Sequence, residues 1–424
     1  MLRRLLGCVL FLAVVLSAKA QDLTYVKRIT DTLTSEQFHG RGYVNDGGLK
    51  AAKFIRKEFE KAGLQKVHFQ EFEHSINTFP NKVNLSFDGA ALTPAVDFLV
   101  NATSKGCSKT TLKVKCLKVA NVESLKQYKK WKKKTDWAHT ALVIEREVHT
   151  RLADKSIGED IASNAFGAHT IINLTDQKLT WTVRDRHSDW VAIEMLASSF
   201  PKNAKHLEIE IDQRFVPDFQ NRNVIGSIRG TKEPDSFIVF SAHYDHLGRM
   251  GKDACFYGAN DNAGGAAMLC DLARHYGKPE NAPAYSILFI AFAGEEAGLL
   301  GSKHYVDHPE VPLSQISYLV NLDLVTNGQD GFTVVNGSVF KQLFKHLKRI
   351  NAEKEYVKAI KVRGKAANSD HYWFSENGVK AIFIYLLGEY PHYHDINDTA
   401  DKPSWAAYKP FFKLLTDLTA ERTN

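Results

Sequence analysis

Cysteine is scarce in this chain of 424 residues: there are five, and no two stand as C-x-x-C. That argues against a thiolate-held metal and leaves His, Asp and Glu as the side chains that could hold one. Long apolar runs are also missing. Residues 5–16 form the longest, and nothing later approaches the roughly 18 uninterrupted apolar residues a membrane helix requires, so no membrane span is expected. There is no internal repeat, no low-complexity tract, no zinc-finger spacing and no aromatic-interleaved RNA module. The net charge of +7 and pI near 8.9 therefore do not by themselves indicate a nucleic-acid partner. Many of the lysines lie between positions 105 and 134, where they read as a solvated basic face.

With 44% hydrophobic residues, the chain can bury a large core, either in one big domain or in a domain carrying an insert. Its first residues have the parts of a secretory signal: basic Arg3 and Arg4, the apolar run, and Ala18-Lys19-Ala20 as a small-x-small cleavage site. Residues 1–20 thus read as a signal peptide and the protein as secreted or periplasmic. In such a compartment Cys107 with Cys116, and Cys255 with Cys270, are the sequence-local disulfide pairings, with free thiols as the alternative.

Apolar Leu49, Ala52, Phe54, Ile55, Phe59 and Ala62 recur at helical spacing before an Ala62-Gly63 stop, which predicts an amphipathic helix. Alternating runs at 67–72, 83–87 and 112–116 predict strands; a strand at 141–144, a helix near 157–166 and a run at 168–173 follow. Beyond Asn223, apolar strands at 237–241, 287–292, 318–322 and 381–385 alternate with helical segments at 264–276, 298–306, 339–351 and 372–377. The expected class is α/β, with a mostly parallel central sheet covered by helices on both faces and an inserted α+β or β-rich unit. The expected division is 21–75 and 216–424 for the main domain and 76–215 for the insert.

Five clusters carry chemistry, each at the end of an apolar strand or in the loop after one. Ala242-His243-Tyr244-Asp245-His246 sets imidazoles beside a carboxylate, as where a second acid orients a metal-bound ring. Gly258-Ala259-Asn260-Asp261-Asn262 leads into a helix, so Asp261 either caps that helix or bridges cations. Gly294-Glu295-Glu296-Ala297-Gly298 buries adjacent acids, which is costly unless cations neutralise them; one can then hold an ion while the other takes a proton. Asp323 ends the strand of Asn321-Leu322-Asp323, and His394 follows Tyr393. In such sheets ligands bind where strands end, so the five clusters are expected at one edge. Oxygen and imidazole donors without cysteine suit zinc, with cobalt or manganese as alternatives for the same ligands, and their number suits two ions better than one.

As an ordered set, these motifs resemble the aminopeptidase branch of the co-catalytic zinc exopeptidases, the group that includes bacterial leucyl aminopeptidases, glutamate carboxypeptidase and the transferrin receptor ectodomain. The likeness runs from about 223 to 415, and Gly40-Arg41-Gly42 is similar to that family's opening segment. The resemblance implies that Asp261 bridges two zinc ions, His243 and Asp323 hold one, and Glu296 and His394 hold the other. It makes Glu295 the general base, has Asp245 orient His243, and sets Ser369, Asp370 and His371 beside the substrate pocket. The implied reaction is removal of a terminal residue from a peptide substrate by a hydroxide bridging the two ions. Where the family usually has Thr after the last ligand histidine, this chain has Asp395. Residues 141–146 and 167–173 are loosely similar to a protease-associated domain, a unit expected to limit access or select substrates. Rival readings on the same fold are a glutaminyl cyclase with one zinc and a glutamate-type carboxypeptidase, for which Arg363 and Lys365 could supply a basic pocket. A non-catalytic receptor-like scaffold is the rival of another class. Oligomeric state is not legible.

Overall fold

The computed structural model describes residues 23–133 and 135–420. The expected signal peptide lies outside the described residues.

An eight-stranded mixed sheet forms the centre of the main unit, in the order Gln65–Thr78, Arg214–Ile228, Tyr285–Phe292, Glu233–His243, Ile316–Leu322, Ala381–Leu387, Gly331–Val335, Ile360–Val362. Tyr285–Phe292, Glu233–His243, Ile316–Leu322 and Ala381–Leu387 run parallel to one another. The flanking pairs are antiparallel, apart from a parallel Gly331–Val335 with Ile360–Val362. The central strands are apolar without alternation because both faces are covered. Ile287, Phe289 and Ala291 point into a core made with helices Leu23–Leu33, Gly47–Lys61, Gly264–Tyr276, Lys341–Lys354 and Tyr408–Ala420. Leu288, Ile290 and Phe292 point the other way, against Tyr305 of helix Leu300–Asp307 and Phe374 of helix His371–Glu376. One-residue steps along a strand swap faces, so one sequence serves two cores.

A second eight-stranded sheet is drawn from within residues 83–211, in the order Ala90–Leu92, Val83–Phe87, His206–Ile211, Cys107–Leu117, Thr140–Ile144, Thr170–Thr175, Val191–Leu196, Phe98–Val100. Here Leu142 and Ile144 face helices Leu125–Lys132 and Lys155–Ala162, while Ala141 and Val143 face the main unit. On that inner side, Trp181 and Phe79 share a core with Leu247, Met250 and Phe256 around the hairpin of Gly248–Met250 and Ala254–Phe256. The two sheets thus meet over a continuous apolar layer. All four described cysteines are free thiols, so neither sequence-local disulfide is present. Among the described residues, no helix is long and apolar enough to cross a membrane.

Candidate metal centre

The carboxyl ends of the parallel strands bring the site together. His243 is the last residue of Glu233–His243, Asp323 follows Ile316–Leu322, Glu295 and Glu296 lie in the turn after Tyr285–Phe292, and His394 lies in the loop after Ala381–Leu387. Asp261 sits just before helix Gly264–Tyr276, but it does not cap it: the neighbouring Asn262 Oδ1 accepts the Gly265 N–H at 3.0 Å. This leaves the Asp261 carboxylate free to face two imidazoles, with Oδ1 3.3 Å from His243 Nε2 and Oδ2 3.1 Å from His394 Nε2. Asp323 Oδ1 also stands 3.3 Å from His243 Nε2, and Glu296 Oε2 3.2 Å from His394 Nε2.

The structure therefore brings all five sequence-read ligand candidates into one buried cluster, with Asp261 between two halves. Ligating atoms of His243, Glu295 and Asp323 lie within 4.8 Å of one another, as do those of His246, Asp261 and Glu296. His246 was not among the candidates read from the sequence, although it stands one residue beyond Asp245 in the same strand-end motif. Its Nδ1 donates to Glu296 Oε1 at 2.7 Å and its ring is fully buried.

Each imidazole turns Nδ1 to an oxygen: His243 to the Asp245 carbonyl at 3.1 Å, His246 to Glu296, and His394 to the Trp181 carbonyl at 2.9 Å. A ring that donates through Nδ1 leaves Nε2 to accept. Asp245 thus meets His243 through its main-chain oxygen, whereas its carboxylate is 3.7 Å away and accepts instead from Tyr43 Oη at 3.0 Å and the Glu295 N–H at 3.3 Å. The orienting contact expected of the Asp245 side chain is made by its backbone.

Ser369, Asp370 and His371 are fully buried, and the neighbouring Asn368 lines the open space over the cluster. Ser369 belongs to a relay in which Ser241 Oγ donates to Asn321 Oδ1, Asn321 Nδ2 to Ser369 Oγ and Ser369 Oγ to Asp323 Oδ2, each at 2.8–2.9 Å. The open space over the cluster, about 350 Å³, is walled by Glu295, Asp323, Leu324, Arg363, Asn368, Phe383, Tyr385 and Tyr393, among others. Of the two basic residues expected near a pocket, Lys365 pairs with Glu376 at 2.5 Å, while Arg363 reaches the cavity and donates to Tyr385 Oη at 3.3 Å.

The electrostatics describe a cluster of mutually dependent charges. Burial by itself disfavours every charge here. It pushes the Glu295 carboxyl well above its usual range, opposed by His243 and reinforced by the Glu296, Asp323 and Asp370 charges. Burial would lower the His394 ring, but the Glu296 and Asp261 carboxylates outweigh it and lift its pKa to about 11. Burial opposes ionisation of Glu296 too, yet the His394 and His246 rings hold its carboxyl down at about 2. His243 Nε2, His246 Nε2 and Asp323 Oδ1 are buried with no hydrogen-bond partner. Orphaned donor atoms of this kind, converging from imidazole and carboxylate groups, fit divalent zinc.

Residues 223–419 match peptidase family M28. Aminopeptidase YwaD of Bacillus subtilis (strain 168) is 31% identical over 195 residues, which is 43% of this chain and 40% of that protein. A probable zinc metalloprotease of Pyricularia oryzae is 36% identical over 124 residues, covering 27% of this chain and 24% of the relative. The chain thus spans about a quarter to two-fifths of the length of these curated relatives. The solved structure of BSAP, a zinc aminopeptidase from Bacillus subtilis, superposes with a TM-score of 0.70 at 21% identity over 93% of this chain and 94% of the other, which establishes the fold.

Proposed function

We propose, from the match of residues 223–419 to peptidase family M28, that the protein is an aminopeptidase working with two zinc ions. The observation that carries the reading is Asp261, whose two carboxylate oxygens face separate imidazoles that each meet a further acid. In this reading His243 and Asp323 hold one ion, Glu296 and His394 hold the other, and Asp261 lies between them. Bound there, divalent cations supply a Lewis acid for the scissile carbonyl and acidify water.

The chain's own residues do the rest. Glu295, close to the cluster and on the wall of the cavity, takes the proton from water and returns it to the leaving amine. Its N–H on Asp245 fixes the start of that side chain. Leu324, Phe383, Tyr385 and Tyr393 offer an apolar and aromatic wall for the residue being removed. We place the protein outside the cytoplasm, on the signal-like segment 1–20.

The test is a zinc-replete assay on dipeptides with a free amine, a blocked amine, or a varied C-terminal residue. Hydrolysis confined to free-amine substrates is expected, and Glu295→Gln should keep its zinc while losing about 10²–10⁴-fold in kcat. Wild-type activity in that variant would remove Glu295 from the mechanism. Arg363 on the cavity wall favours a second reading, a carboxypeptidase for acidic termini; cleavage of N-blocked substrates ending in Glu would establish it instead.

A further inference from the structure

His394 lies in an irregular loop, with its own backbone in the left-handed region at φ 54°. No helix or strand of the main unit contains it. Its main-chain oxygen and its Nδ1 are both met from the other sheet, by the irregular segment 176–190 between strands Thr170–Thr175 and Val191–Leu196. Trp181 is the fixed point of that segment: its indole stacks on Phe256 at 4.8 Å and donates to the Val100 carbonyl at 2.8 Å. From there its main chain meets His394 twice, donating N–H to the His394 carbonyl at 3.1 Å and accepting from His394 Nδ1 at 2.9 Å. Lys178 makes three further contacts with the same loop. Its Nζ donates to the Pro391 and Tyr393 carbonyls at 2.5 and 2.7 Å and pairs with the Asp395 carboxylate at 2.8 Å.

We propose that the segment around Lys178 and Trp181 is a positioning element of the metal centre, through which the inserted sheet holds His394 in the rotamer and tautomer that aim Nε2 at Asp261 and Glu296. The physical case has two parts. The Trp181 carbonyl can only accept, so it fixes the proton of His394 on Nδ1. Farther along the loop the main unit takes hold through buried Asp398, which accepts the Asn260 and Asp261 N–H groups at 2.8 and 3.1 Å; around His394 itself the Lys178 ammonium, satisfying two carbonyls and one carboxylate, does the same from the insert, and the partly buried Asp395, 13% exposed, keeps that pair from full solvent screening. Asp395 in turn accepts the Asn397 N–H at 2.7 Å, which ties the pair to the turn beyond it. The insert is then a structural component of the site and not only a screen around its entrance.

This inference rests on the two-zinc reading, and the experiment separates the two. Zinc affinity of the whole protein is measured by chelator competition, together with far-UV circular dichroism, for the wild type, Lys178→Met, Lys178→Arg and Asp395→Asn. Lys178→Met and Asp395→Asn are expected to lose about 10- to 100-fold in affinity for one of two ions, with the other ion and the fold unchanged. Lys178→Arg is expected to recover most of the loss. Wild-type affinity for both ions in folded Lys178→Met or Asp395→Asn overturns the proposal while leaving the two-zinc reading intact; so does a failure of Lys178→Arg to recover binding. A wild-type protein that takes up no second ion overturns both.

Discussion

Buried main-chain oxygens do much of the work around the cluster, and Arg41 shows how. Its guanidinium is fully buried without a carboxylate in contact, and it donates to the carbonyls of Leu33, Tyr244, Tyr257, Gly258 and Asp261. Burial draws its pKa down to about 10, against the raising charges of Asp398, Asp261 and Asp245, so it remains a cation at neutral pH. Arg41→Met would strand several carbonyls at about 1–3 kcal/mol each, and a loss of at least ~3 kcal/mol is expected in denaturant unfolding. Lys cannot reproduce the planar fork, so Arg41→Lys should recover little of it. For His246, whose Nδ1 holds Glu296, His246→Ala should weaken zinc retention about tenfold in chelator competition without moving the unfolding midpoint of the metal-free protein by more than a few degrees. The five ligand candidates were legible because charged side chains at the ends of apolar strands have few other uses. His246 carries the same signal and sits three residues after His243. Arg41 and Trp181 act through carbonyls, and a sequence records nothing of where a carbonyl points.

Among the elements, the central strands and helix Gly264–Tyr276 follow the sequence reading closely, since their apolar runs are bounded by glycine and acid clusters. Strands Gly331–Val335 and Ile360–Val362 were not read: they are five and three residues long, and their place at the edge of the sheet comes from pairing with distant chain. The ribbon of Gln65–Thr78 with Arg214–Ile228 spans 14 and 15 residues across the expected insert boundary, because antiparallel partners far apart in sequence leave no local mark. Helices Leu23–Leu33 and Gly47–Lys61 are joined by one acid. Glu58, 2% exposed, accepts from Tyr25 Oη at 2.9 Å, Arg28 at 3.0 Å and Lys61 at 2.7 Å. Burial alone would raise its pKa, but the hydrogen bonds from Lys61, Tyr25 and Arg28 prevail and leave it below the usual carboxylate range. A depressed folded-state pKa adds stability above the unfolded value, about 4.3 for Glu, and that stability is lost as pH falls through the folded value. Glu58→Gln should therefore unfold earlier than the wild type at pH 7, and the gap should narrow when thermal scans are repeated toward pH 3.

In the molecule as a whole, the inserted sheet shares an apolar layer with the main unit and touches the His394 loop through Lys178 and Trp181, and this makes a measurable demand on unfolding. Asp261, Glu296 and Asp323 are nearly fully buried beside Glu295, an arrangement that like-charge repulsion and desolvation make unfavourable without cations. Zinc that binds the folded chain alone stabilises it by RT ln(1 + [Zn]/Kd), about 2.7 kcal/mol at a hundredfold excess over Kd. Four of the six tryptophans, Trp131, Trp137, Trp181 and Trp190, belong to the second sheet's unit, so tryptophan fluorescence mainly follows that unit while far-UV circular dichroism follows both. Adding zinc to chelator-stripped protein should raise the thermal midpoint by several degrees in both signals together. The apolar layer shared by Trp181, Phe79, Met250 and Phe256, and the contacts of Lys178 and Trp181 with the His394 loop, are the route by which a bound ion would stabilise the second sheet. A rise in the dichroism midpoint with the fluorescence midpoint unmoved would mean that the two sheets unfold independently and that zinc stabilises only the main one.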